Sequence, residues 1–203
     1  MFALVDKSDN SITKMLSGNK GITIGDNQYP RAIFTLWTEA ERNAINIYTV
    51  TIDESKRKDE QWYINTNITY AFDGTNATGS YGDATAKAHA DTLFTAQDEE
   101  DGLGTEDDVK DEGLKTKLVR TVKLQAEGEL NRTDWYITRK AEKNTAIPSA
   151  ITTHRDAVRS KQAAMETAIT NASDTPALET LYTYTRQEDG SVTRPLGELP
   201  TLE

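Results

Sequence analysis

Residues 130–159, LNRTDWYITRKAEKNTAIPSAITTHRDAVR, read as two helices, each with its start marked. Thr133 suits the N-cap of the first, because its hydroxyl can take a free amide of the opening turn. Asp134 then falls in the first turn, where the helix dipole favours negative charge. Pro148 suits the first turn of the second, since an N–H there has no intrahelical partner to lose. Upstream, Leu114, Leu118, Val122 and Ala126 recur at i, i+4, i+8 and i+12 and mark one side of an amphipathic helix, which Gly128 weakens near its end. Downstream, Ile151, Val158 and Met165 follow at spacing seven, with Ala157, Ala164, Ala168 and Ile169 beside them, a stripe for packing on a neighbouring helix. Residues 113–203 are therefore predicted as a helical part with three helices. Residues 175–179 open a short turn or helix, and residues 181–186 and 191–194 around Asp189-Gly190 form a terminal hairpin.

The first 96 residues read differently. Residues 2–5 and 11–16 flank a turn-rich Asp6–Asn10, and residues 21–24 and 28–29 flank Gly25-Asp26-Asn27, two hairpin signatures. Thr38-Glu-Ala-Glu41 fits a capping box that Trp37 can staple, but the helix is short, because residues 47–52 alternate with strand period. Residues 68–72 and 77–81 around Asp73–Asn76 make a last hairpin. The fold class expected is α+β: a small β-rich domain (1–96) with an antiparallel sheet, an acidic linker (97–112) and the helical part (113–203). Residues 84–93 are read as a connecting helix.

Charge is unevenly placed. The chain carries −10, of which residues 97–112, QDEEDGLGTEDDVKDE, hold −8, while residues 1–96 hold −3 and 113–203 hold +1. Like charges and two glycines predict an extended linker. The acidic balance speaks against nucleic-acid binding. Hydrophobic residues make up 36% and mean hydropathy is −0.66, a lean composition that leaves room for apolar surface completed by a partner or by self-association into a homo-oligomer. There is no cysteine, hence no disulfide, thiolate nucleophile or Cys-ligated zinc. No run approaches the roughly 20 apolar residues of a membrane span, and the N-terminus does not read as a secretory signal.

Four residues are candidates for a partner-binding site. Trp135 at a helix start either fills a partner's groove or staples neighbouring helices; burial is expected, with a destabilisation of roughly 3–5 kcal/mol on change to Ala. Arg155 and Arg159, one turn apart, either grip a partner carboxylate or pair with Asp134 or Glu142 of this chain. No catalytic, cofactor or metal site is expected. Phosphate-binding glycine loops and a nucleophile elbow are absent from the sequence. An EF-hand reading of the acidic segment puts Gln97 and Asp108 where Asp and a bidentate Glu are wanted. His89 and His154 have no cysteine to support them as ligands and are expected to be ordinary helix-surface or interface residues.

Thr133-Asp134-Trp135, followed about twenty residues later by Arg155-Asp-Ala-Val-Arg159, resembles the closing TDW…YR..LR motif of phage tail assembly chaperone and tail-fibre assembly proteins. His154 stands where that family has Tyr and Val158 where it has Leu. The stretch QYPRAIFTLWTEAERNAINIYTV also looks like the opening of uncharacterised marine tailed-phage proteins. The resemblance implies a non-catalytic role in tail or tail-fibre morphogenesis, in the host cytoplasm during assembly, with a tail or tail-fibre protein as partner. It places Trp135, Asp134, Arg155 and Arg159 in the recognition or packing element. The alternative is a structural virion component such as a fibre, baseplate or decoration protein; an anti-host or regulatory role is a third reading.

Overall fold

The computed structural model describes residues 1–202 and resolves the chain into two units, Met1–Thr85 and Ala86–Glu203. In unit 1, β1 (Phe2–Asp6) and β2 (Ser11–Leu16) form the first hairpin, with Asn10 in the left-handed region of its turn. β3 (Ile22–Ile24) and β4 (Asn27–Tyr29) form the second. α1 (Ile33–Leu36) follows, then α2 (Glu39–Ala44), which opens on the expected capping box. The Thr38 hydroxyl accepts from the Glu41 amide at 3.3 Å, and the Glu41 carboxylate accepts from the Thr38 amide at 2.7 Å. β5 (Ile47–Asp53) is the longest strand of the unit. After β6 (Tyr63–Ile64), β7 (Thr69–Phe72) and β8 (Ala77–Ser80) make the third hairpin, whose turn is tied by the Asp73 carboxylate accepting from the amides of Thr75 and Asn76 at 2.8 and 2.7 Å. β9 (Thr85–Ala86) pairs with β6.

Five of these strands join in the order β2-β1-β5-β8-β7. Neighbours are antiparallel, as expected, except β5 and β8, which run parallel with Val50 opposite Ala77. A parallel pair needs a crossover, and the long stretch between Asp53 and Ala77 supplies it; the alternation of residues carries no mark of strand direction. The sheet curls until its two edge strands, β2 and β7, approach to Cα separations of 8 Å or less. Its concave side holds Ala3, Val5, Tyr48, Val50, Phe72 and Ala77, and its other side packs Leu16 and Ile47 against Ile22, Ile33 and Phe34. Strand period decides the division: Ala3 and Val5 face one way, Phe2 and Leu4 the other. Gly79 is required inside the curl, since a Cβ there would stand 2.8 Å from both Ile52 Cδ1 and Tyr70 Cε1.

Unit 2 begins with β10 (Thr92–Leu93), α3 (Ala96–Glu100) and β11 (Val109–Asp111). The acidic segment expected as an extended linker is folded here, and the segment expected as a connecting helix, residues 84–93, holds strand and loop instead. β10 pairs with β11, and the Thr95 hydroxyl accepts from the Asp98 amide while the Asp98 carboxylate accepts from the Thr95 amide at 2.9 Å. Lys110 Nζ closes the hairpin on Asp98 at 2.8 Å. Most of the carboxylates point into water, where repulsion is screened, so local hydrogen bonds decide the conformation.

Then come α4 (Leu114–Asn131), α5 (Asp134–Lys143), α6 (Ser149–Asn171) and α7 (Thr175–Tyr182), the last capped by the Asp174 carboxylate, which accepts from the Ala177 amide at 2.8 Å. α7 is a fourth helix where three were expected. β12 (Thr185–Arg186) and β13 (Val192–Thr193) form the terminal hairpin. α4 packs on α6 through Val122 and Ala126 against the Ile151, Val158, Met165 and Ile169 stripe, and Leu178 and Leu196 are buried with them. α4 has no side-chain cap of its own. Upstream residues close its start: the Ala88 and His89 carbonyls accept from the Leu114 and Lys115 amides at 3.0 Å each, and the Asp91 carboxylate accepts from the Gly113 amide at 2.7 Å and the Thr116 hydroxyl at 2.8 Å, bonds that hold it below the usual carboxylate range.

Candidate functional site

α4 and α5 meet in a turn made by Arg132 and Thr133, and α6 packs beneath it. Thr133 occupies the N-cap position of α5, but its hydroxyl caps nothing there. It donates to the Leu130 carbonyl at 3.0 Å and accepts from Arg155 Nη1 at 2.7 Å. The same Nη1 reaches the Leu130 carbonyl at 2.7 Å and Asp134 Oδ1 at 2.8 Å. One guanidinium nitrogen of α6 therefore satisfies a helix-end carbonyl, a buried hydroxyl and a carboxylate together. Thr133 and Arg155 are buried, while the Asp134 side chain is half exposed. Of the two pairings weighed for Arg155 within this chain, Asp134 is the one formed.

Trp135 does not occupy that corner. It is 52% exposed, a correction to the expected burial. The reason is helical geometry: each residue turns the direction by about 100°, so once Asp134 is drawn to Arg155, Trp135 swings outward. Its ring lies 3.8 Å from that of Tyr136, centroid to centroid, and the Arg139 guanidinium covers both at 4.8 and 5.4 Å. Among its residues, Asp134–Lys143, α5 has none buried. It projects from the corner as an uncovered helix and ends with Asn144 in the left-handed conformation.

Arg159 is separated from Arg155 in role as well as position. Its side chain is exposed and stands 3.5 Å from Asp156, beside a shallow groove of about 530 Å³ that Leu130, Gln162 and Glu166 also line. The two arginines share α6 but do not converge on one group. His154, beside Arg155, is buried on the inner side of α6, while His89 lies in the loop before β10. Sequence reasoning missed two residues that shape unit 2: Asp91, which gives no local signal because its partners lie 22 and 25 residues on, and Thr133 in its role as an Arg acceptor.

A second concavity of about 580 Å³ lies along the first half of α4, floored by Ala90 and Val119 and rimmed by Lys115, Arg120 and Lys123. Two of those cations are engaged, Arg120 with Glu112 and Lys123 with Glu166 at 3.6 Å. Among the described residues, no group of three or more His, Cys, Asp or Glu side chains is arranged to hold a metal, and no helix is long and apolar enough to cross a membrane. Comparison with known proteins finds no matching family model, no matching curated protein and no matching solved structure.

Proposed function

We propose that the chain is a non-catalytic phage tail or tail-fibre morphogenesis protein that binds a tail-fibre component as an assembly factor, acting in the host cytoplasm. The observation that carries this reading is α5: an uncovered helix presenting Trp135, Tyr136 and Arg139, held at a fixed angle by the Arg155 corner. Trp, Tyr and Arg are the residue types that dominate binding energy at protein interfaces. Trp135 belongs to the Thr133-Asp134-Trp135 motif, in line with the resemblance to tail assembly chaperones. In this reading Asp134 and Arg155 position the helix, Trp135 anchors the partner, and Arg159 flanks the contact. No cofactor, nucleic acid or membrane enters it. The alternative, a structural virion component, is favoured by unit 1, which has its own sheet and core and gives a particle something to hold.

Pull-down of the tail and tail-fibre proteins made with this chain tests the proposal. Trp135→Ala is expected to lose the partner while changing stability by about 1 kcal/mol or less, the scale of an exposed cation–π contact. A variant that keeps the partner, or a wild-type chain that captures no tail protein, removes the reading. Mass spectrometry of purified particles then separates the two alternatives: an assembly factor is absent or far below stoichiometric, and a structural part is present in fixed copy number.

A further inference from the structure

We infer that α5 docks on the acidic hairpin β10–α3–β11 of a second copy of this chain. Helical spacing puts Trp135, Tyr136, Arg139, Lys140 and Lys143 on one face of α5. Glu142 stands at the edge of that face, and Asp134 is drawn away to Arg155. The face is thus aromatic at one end and cationic at the other. The hairpin is its complement. Of the nine carboxylates in residues 97–112, only Asp98 and Glu112 have a cation within ion-pair distance among the described residues, Lys110 and Arg120, so most of the segment's charge is uncompensated. It also exposes Leu103 by 63% and Val109 by 49%, apolar surface for the indole of Trp135 to cover.

Within one copy no ion pair joins the α5 cations to the hairpin, among the described residues. Both elements are tied down separately, α5 by the Arg155 corner and the hairpin by Asp98 and Lys110. A second molecule is therefore the occupant that satisfies both surfaces without unfolding either. Because the two patches differ, the contact is either reciprocal, closing a two-fold dimer, or head-to-tail, propagating as a ring or a filament. The net charge of −10 opposes association at long range. At about 0.1 M salt the Debye length of about 10 Å damps that repulsion more than the contact pairs, and about 1 M salt suppresses both. This contact uses the same α5 face that anchors the proposed tail partner, so the two occupants compete for it; no tail protein enters the test, which reads self-association by itself.

Sedimentation velocity of the full chain over a concentration series is the experiment. The wild type is expected to associate at about 0.1 M salt and to dissociate at about 1 M. Lys140→Glu with Lys143→Glu removes the basic patch, and Glu106→Lys with Asp108→Lys removes the acidic one; all four positions are exposed, and circular dichroism confirms that each variant folds. Each variant alone is expected to associate at least about tenfold more weakly than wild type. Mixing the two is expected to restore one strong contact, because the acidic hairpin of the first still meets the basic face of the second. A wild type that stays monomeric throughout, association that survives both reversals, or a mixture that stays dissociated overturns the inference. So does a monomer that binds an added polyglutamate peptide, which would assign the α5 face to a different acidic partner.

Discussion

Thr133 is the residue on which the corner between α4 and α6 turns. Its buried hydroxyl both donates to Leu130 and accepts from Arg155, so Thr133→Val, which keeps the shape, removes one acceptor of the guanidinium and one of the donors to the Leu130 carbonyl. The expected loss is about 1–3 kcal/mol, with Arg155→Met in a similar range, since hydrogen bonds to charged groups are worth about 1.5–3 kcal/mol. The double variant is expected to lose less than the sum of the two, because they share one network; additive losses in denaturant melts would show that the two side chains do not act together. The sequence offered the Asp134–Arg155 pairing as one of two choices. It did not offer the orientation of Trp135, because a helix start fixes which residues begin the turn and not which face meets the neighbouring helix. That face is decided by Arg155, 20 residues on, and a buried hydroxyl outcompeted an indole for it.

The acidic hairpin is an element that charge arithmetic alone misreads. Thr95-Ala-Gln-Asp98 repeats the T-x-x-acid pattern that was recognised at Thr38–Glu41, and both form the same reciprocal cap. Charge density concealed the second instance, although an end-cap needs only local hydrogen bonds and solvated carboxylates do not forbid them. The bond from Lys110, followed by those from the Thr95 amide and hydroxyl, lowers the Asp98 carboxyl from 3.8 to about 2. A carboxyl lowered on folding contributes stability above its unfolded value and loses it as pH falls through the folded one. The hairpin is therefore expected to hold above about pH 4 and to loosen as pH falls from there toward 2. Hydrogen exchange at the Leu103 amide, which donates to the Asp98 carbonyl at 2.8 Å, reports this directly. Asp98→Asn should loosen the hairpin at neutral pH and flatten its response over that window; an unchanged acid response in the variant would assign it to other carboxylates.

At the scale of the whole chain, the order of β-rich and helical parts was legible from the change of period, 2.0 before residue 96 and 3.6 after 113. The place where one unit ends was not, because it is set by bonds with no local trace. Thr175 Oγ1 donates to the Lys87 carbonyl at 2.6 Å across 88 residues, and Asp91 ties the start of α4 by accepting from the Gly113 amide, 22 residues on. Residues 86–112 thus belong to the helical unit as working parts of it. A fragment of residues 86–203 carries its own core of Val122, Val158, Met165, Ile169 and Leu178 together with both tethers. It is expected to unfold cooperatively. A fragment of residues 113–203 keeps that core but leaves the N-terminus of α4 uncapped and the buried Thr175 hydroxyl without its acceptor. It is expected to melt lower, and Asp91→Ala in the longer fragment should move its melting point part of the way toward the shorter one. Equal melting points for the two fragments would return the boundary to residue 113 and make residues 86–112 a passive connection.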